Sequence, residues 1–334
     1  MWTFRKDVLS QWSFVLCWKR RAQISALITL LFPRRKGQRT RDEGPRQTLS
    51  CLVAIVTAFC LLPTAFCFSS GLYEVIEVKP HVFLWEPEDI IYQTGDPQFN
   101  RATAAGFIIT SEGVVVVNTT NNPLNARDLL YEIRERTSLP VKYVINTDWR
   151  GDHMLGNEVF VDLEATMLAA SVAKVKMQEY GRDLDRRMNE DSRIQARMRG
   201  IHFSLPNQTF DQQMALRPGG VDIRLLDVGK GALAGTAVVY LPDAKVLFLG
   251  GLYNLGVIPR WGLSDIRAWI DTLRQVESIG AETFVPDQGP PGDKGDLTEF
   301  REFLEWVAEQ TEPSVLLWKP CSRAPSARMV KAQE

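Results

Sequence analysis

From Gly71 onward the chain alternates short β-rich runs with segments of helical periodicity, and that rhythm predicts an α/β architecture. Val75–Val78, His81–Trp85, Ala105–Ile109 and Val114–Asn118 read as strands, the last two joined by a Ser-Glu-Gly turn. Pro123 then opens a helix with Leu124, Leu129, Leu130 and Ile133 at helical spacing, which Pro140 closes off. Val141–Ile145 reads as a buried strand that runs directly into a polar loop ending at Asp152-His153. Residues 162–199 are charged and helical in propensity, which predicts outer helices or a mobile insert. Strands resume at Val221–Leu226, Thr236–Leu241 and Lys245–Leu249. A helix capped by Ser264 follows, then a short strand at Thr283–Val285 and a last helix with Leu297, Phe300, Phe303, Leu304 and Val307 inward.

Composition narrows the chemistry. The 334 residues are 45% hydrophobic and 24% charged, which suits a globular protein and excludes a disordered, collagen-like or disulfide-scaffold chain. There are only three histidines, His81, His153 and His202, so no site built on four imidazoles can exist. Of the five cysteines only Cys321 follows the first 67 residues, which leaves the body no disulfide framework.

The charge is divided. Residues 1–48 carry eleven Lys and Arg against three acidic residues, a net +8, so the remainder sums to −9. An acidic body argues against a nucleic-acid partner. Residues 1–48 read as a basic, disordered extension and residues 49–70 as either a signal peptide or a membrane anchor. The apolar core Cys51–Phe68 is 18 residues long, about 27 Å as a helix, just enough to cross a hydrocarbon layer. Pro63 and the small residues after it suit cleavage near Cys67 or Ser69 instead. Under either reading the preceding basic residues stay on the cytoplasmic side, so the body is expected to be exported to the outer side of the membrane. Residues 71–318 form the expected domain and 319–334 a tail.

Four blocks of the body, in order, resemble the metallo-β-lactamase superfamily. They are Val114–Thr120, which resembles an apolar strand ending in Asp-Thr-Gly; Val141–Asn157, which resembles a loop of the form Asn-Thr-His-Trp-His-x-Asp-His followed by Gly-Asn; Val238–Leu252; and Val285–Lys294. The resemblance implies an αβ/βα sandwich, two packed β-sheets flanked by helices. It further implies one or two zinc ions at one edge of the sandwich, with a bound water converted to hydroxide near neutral pH.

Carried over residue by residue, the implied ligand set is altered at five of seven positions. Asp152 and His153 match. Asp148 and Arg150 stand where two histidines are expected, Ala232 and Gln288 where two more are, and Gly251 where a bridging aspartate is. Alanine and glycine bring no donor atom, and Arg150 carries a fixed positive charge into a site built for a dication.

Three readings follow. In the first, the zinc-hydrolase site is lost and its remnant is a polar pocket for a small molecule or an envelope protein, with no cofactor. Arg150 then replaces the metal's charge between Asp148 and Asp152. In the second, a single divalent metal ion is held by Asp148, Asp152 and His153 with Gln288 or Asp287. It would serve hydrolysis of an ester, thioester or amide, with Asp152 as general base if active. In the third, the body is a structural subunit of an envelope assembly. The direction of Arg150 separates the first two: inward favours the lost metal site, outward the single-metal enzyme.

Overall fold

The computed structural model describes residues 73–87, 102–229, 231–259 and 264–317. The basic extension, the apolar segment 49–70, Lys230, Cys321 and the tail 319–334 lie outside the described residues. Among the described residues no helix is long and apolar enough to cross a membrane.

In chain order the elements are β1 (Tyr73–Lys79), β2 (Val82–Pro87), β3 (Ala105–Ile109), β4 (Val114–Val117), α1 (Pro123–Arg136), β5 (Val141–Ile145), α2 (Gly151–Met154), α3 (Glu158–Val161) and β6 (Thr166–Ala170). There follow α4 (Ser171–Glu190), α5 (Ser192–Arg197), β7 (Gln208–Phe210), β8 (Gln213–Leu216), β9 (Ile223–Asp227), β10 (Ala237–Leu241), β11 (Val246–Asn254), α6 (Ile266–Val276), β12 (Thr283–Gln288) and α7 (Lys294–Leu317).

They build two mixed sheets. The first runs β1 to β7 in sequence order and the second β12-β11-β10-β9-β8. Strands β1 to β4 are antiparallel hairpin neighbours, whereas β4, β5, β6 and β7 pair in parallel through crossovers. In the second sheet only β11 and β12 are parallel.

Strand alternation sorts the apolar residues into layers. Val115, Val117, Ile145 and Leu168 of the first sheet meet Ile223, Leu225, Val239 and Phe248 of the second, forming the sandwich core. The opposite residues of the first sheet, among them Phe107, Val114, Val116 and Val144, pack under Leu129, Leu130 and Ile133 of α1. The outer face of the second sheet, with Val238, Leu247 and Leu249, is covered by Trp269, Leu273 and Val276 of α6 and by Leu297, Phe300 and Leu304 of α7. Each such side chain taken fully out of water contributes roughly 1.5–3 kcal/mol. This is the expected α/β sandwich.

Several local expectations are corrected. The α6 helix is capped by Asp265, whose carboxylate accepts from the Arg267 and Ala268 amides, and not by Ser264. Leu124 is exposed because it sits in the first turn of α1, whose direction is set by the Asn122 cap accepting from the Leu124 and Asn125 amides. Phe303 also faces out, stacked on Trp306 along α7, so it is not a core residue. The stretch 162–199 is not helix alone: it contains β6, an interior strand whose Leu168, Ala169 and Ala170 are fully buried.

Candidate functional site

The site forms where β4, β5, β11 and β12 end. The loop after β5 is held from below by side chains that satisfy its backbone. Asn146 and Asn157 exchange two hydrogen bonds, Nδ2 of each donating to Oδ1 of the other at 3.0 and 2.9 Å. Thr119 Oγ1 also donates to Asn157 Oδ1, and the Asn118 carboxamide accepts from both the amide and the hydroxyl of Thr147. Gly156 is needed for this closeness: a Cβ there would lie 1.9 Å from the Thr119 carbonyl oxygen. Buried polar groups tied together in this way fix the loop to the sheet.

On that platform four charged side chains converge, three from the loop and one from β12. His153 is fully buried, with Nδ1 3.0 Å from Asp148 Oδ1 and Nε2 2.7 Å from Asp287 Oδ1. Carboxylates facing both ring nitrogens favour the doubly protonated ring, while the Arg150 guanidinium, with Nη2 3.1 Å from the same Nε2, opposes it. Burial works against that charge, but the Asp148 and Asp287 carboxylates outweigh it and push the His153 pKa up to about 10.

Arg150 points inward. Its Nε donates to Asp148 Oδ2 at 3.0 Å, and its Nη2 lies 2.9 Å from Asp148 Oδ2 and 3.4 Å from Asp287 Oδ2. Asp152 Oδ1 is farther from it, 3.9 Å from Nε. The guanidinium thus spans Asp148 and Asp287, whereas the sequence placed it between Asp148 and Asp152. Burial raises the carboxyl pKa of Asp148, but the Arg150 and His153 charges overcome this and hold it well below the ordinary range. Asp287 is likewise lowered against burial, by His153 and Arg150. The same carboxylates raise the Arg150 pKa further above its already high value despite burial.

The guanidinium takes the space above Gly251. A Cβ on Gly251 would lie 1.9 Å from Arg150 Nη2, 2.7 Å from its Cζ and 2.8 Å from Asp148 Oδ2. Arginine at one position and glycine at the other are therefore sterically matched.

Above the cluster opens a cavity of about 730 Å³. Arg150, Asp152, Asp287, Gly251 and Ala232 lie at its floor, and Gln288 lines it without a side-chain hydrogen bond to the cluster among the described residues. Sequence reasoning named Asp287 only as a substitute for Gln288, yet Asp287 is the residue in contact. It missed Asn254 and Tyr180, which also line the cavity and belong to no motif block that would have pointed to them. His81 and His202 are exposed and take no part.

A raised imidazole pKa makes a testable statement about stability. His153 binds its proton more tightly folded than unfolded, so its contribution is complete below an ordinary histidine pKa of about 6.5 and is lost as pH rises towards about 10. Thermal unfolding followed from pH 6 to pH 10 is expected to show a falling Tm across that window, and His153→Gln to flatten the fall. A wild-type Tm that is level over the same range, with no difference from the variant, would contradict the imidazolium assignment.

The comparisons with known proteins agree with this architecture. The profile of the Metallo-beta-lactamase superfamily matches residues 99–288. The linear primary-alkylsulfatase of Pseudomonas sp. (strain ATCC 19151) is 24% identical over 238 residues, which are 61% of this chain and 43% of that protein, so this chain spans under half of that relative's length. A metallo-beta-lactamase from Pontibacter korlensis superposes with a TM-score of 0.57 at 22% identity, covering 70% of this chain and 99% of that one. The DIM-1 metallo-beta-lactamase superposes with a TM-score of 0.56 at 18% identity, covering 70% and 97%. At such identities the superpositions carry the fold, and with the profile match over more than half of the sequence they place this chain in a family: it belongs to the metallo-β-lactamase superfamily.

Proposed function

We propose that this protein is a metal-independent member of its superfamily that binds a small molecule in the cavity over Arg150. The observation that carries the reading is the guanidinium bridging Asp148 and Asp287 above Gly251. A zinc site needs neutral imidazole nitrogens or carboxylates with free lone pairs aimed at one point. Here both His153 nitrogens face carboxylates, Ala232 and Gly251 contribute no donor, and a positive charge sits among the remaining oxygens. The donor set does not fit the family's zinc, and no chemical step is assigned to a metal.

The acidic cluster is stabilised in its place by two internal cations. Arg150 and His153 neutralise Asp148 and Asp287, as buried carboxylates require. Export of the body to the outer side of the membrane is part of the same proposal, supported by the +8 leader before an uncharged apolar segment.

A single-metal hydrolase is the second reading, favoured by the gathering of Asp148, Asp152, Asp287 and His153 and by relatives that are named alkylsulfatase and β-lactamase. Calorimetric titration of the full chain with Zn²⁺, Mn²⁺ and Mg²⁺, followed by assay against an alkyl sulfate, a β-lactam and carboxyl esters, separates the two. The proposal expects no saturable heat and no turnover. Saturable binding near one ion per chain together with metal-dependent hydrolysis would replace it with the second reading.

A further inference from the structure

We propose that the outward face of α7 is a docking surface for this chain's own basic segment, residues 319–334. The helix has three sides, and two are committed. Leu297, Phe300 and Leu304 are buried over the second sheet. Arg301 turns to α6, where its Nε lies 2.8 Å from Glu277, and Glu305 takes both Arg301 and Arg274 at 2.7 Å.

The third side is exposed. Glu299, Glu302, Phe303, Trp306, Glu309 and Gln310 recur at helical spacing, so they form one stripe about three turns long. Phe303 and Trp306 stack along it with ring centroids 6.4 Å apart, and they are 37% and 57% exposed. The basic residues of α7 are Lys294, in its first turn, and Arg301, held on the α6 side. The stripe therefore offers three carboxylates and two aromatic rings with no cation of its own.

A surface of this kind fits a segment that brings guanidinium and ammonium groups, which are attracted both by carboxylates and by the negative face of an indole. Residues 319–334 have that chemistry. They carry Lys319, Arg323, Arg328 and Lys331 against Glu334 alone, a side-chain charge of +3, with Met329 and Val330 between the last two cations. They are also tethered beside the stripe. α7 ends at Leu317, eleven residues past Trp306 and about 16 Å along the helix axis. The segment reaches roughly 50 Å when extended, so it can turn back along the whole stripe. Single surface contacts of this kind are weak, but attachment raises the effective concentration to the millimolar range, where several together suffice.

Zero-length carbodiimide coupling of the full chain, read by peptide mass spectrometry, tests the docking. Lys331 is expected to join Glu299, Glu302 or Glu309 within one chain, with a yield that falls severalfold in about 0.5 M NaCl and in Trp306→Ala. Trypsin gives a second readout. Cleavage after Arg323 and Arg328 should run severalfold faster in Trp306→Ala and in the double variant Glu302→Gln/Glu309→Gln than in the wild type, with cleavage within residues 1–48 unchanged as the internal standard. Both variants alter exposed positions, so their Tm should match the wild type. Absence of the Lys331 coupling, coupling of the stripe to Lys6, Lys19 or Lys36 of the other basic segment, coupling only between isotopically distinct copies, or equal trypsin rates in wild type and variants would each overturn the proposal.

Discussion

Arg150→Ala is expected to cost about 3–5 kcal/mol of folding stability, the range for breaking a buried ion pair by removing one partner. The loss is large because the guanidinium serves two carboxylates at 2.9 and 3.4 Å and stands 3.9 Å from a third. Without it, three buried carboxylates share only the His153 proton. In a domain of this size such a loss lowers Tm by on the order of 10 °C. A second consequence distinguishes a charge replacement from ordinary packing. The alanine variant should regain part of its Tm in millimolar Mg²⁺ or Mn²⁺, because an oxygen-rich cluster without its arginine suits a hard cation. The wild type should not respond. Thermal denaturation of both proteins with and without the ions measures this, and a loss under about 1 kcal/mol with no ion response would show that Arg150 is not the counter-charge.

The second large effect is expected at Gly251. Substitution to alanine puts a methyl group 1.9 Å from Arg150 Nη2, so the guanidinium must leave its carboxylates. The expected cost is about 2–3 kcal/mol, most of it the broken network. In an Arg150→Ala background the two nearest of those contacts are gone and Asp148 Oδ2 at 2.8 Å remains, so the cost should fall below about 1 kcal/mol. A double-mutant cycle measured by denaturant unfolding reads the difference. Additive effects would mean that the two positions do not share the space above β11. The glycine was legible in the sequence only as a missing ligand; the structure gives it a positive role, since it makes room for the arginine.

This contrast runs through the whole molecule. Strands with dense β-branched sequence, such as Val114–Val117 and Val141–Ile145, were readable because both faces are buried between helix and sheet. Strand β6 was not, because Thr-Met-Leu-Ala-Ala carries helical propensity that pairing with β5 and β7 overrides. Strands β7 and β8 are three and four residues long with mixed polarity, too short for a periodic signal.

The site divides in the same way. Asp148, Arg150, Asp152 and His153 fall within six residues of one loop, so motif spacing found them together. Asp287 lies 134 residues from His153 and enters only because β12 ends beside β11. The sequence offered it only as an alternative to its neighbour Gln288, the motif position. Strand alternation decides between them: Asp287 is buried against His153 while Gln288 turns towards the cavity. Tyr180 comes from α4, a charged helix whose cavity-facing side carries no recognisable pattern.

We propose that Arg150 and His153 hold together the carboxylates that a metal holds elsewhere in this superfamily. Elemental analysis of the full chain, purified without chelator and in the presence of micromolar zinc, tests it most directly. The account predicts zinc well below one equivalent per chain and a Tm unchanged by EDTA. Zinc at one or more equivalents, with a Tm that falls when EDTA removes it, would contradict the account.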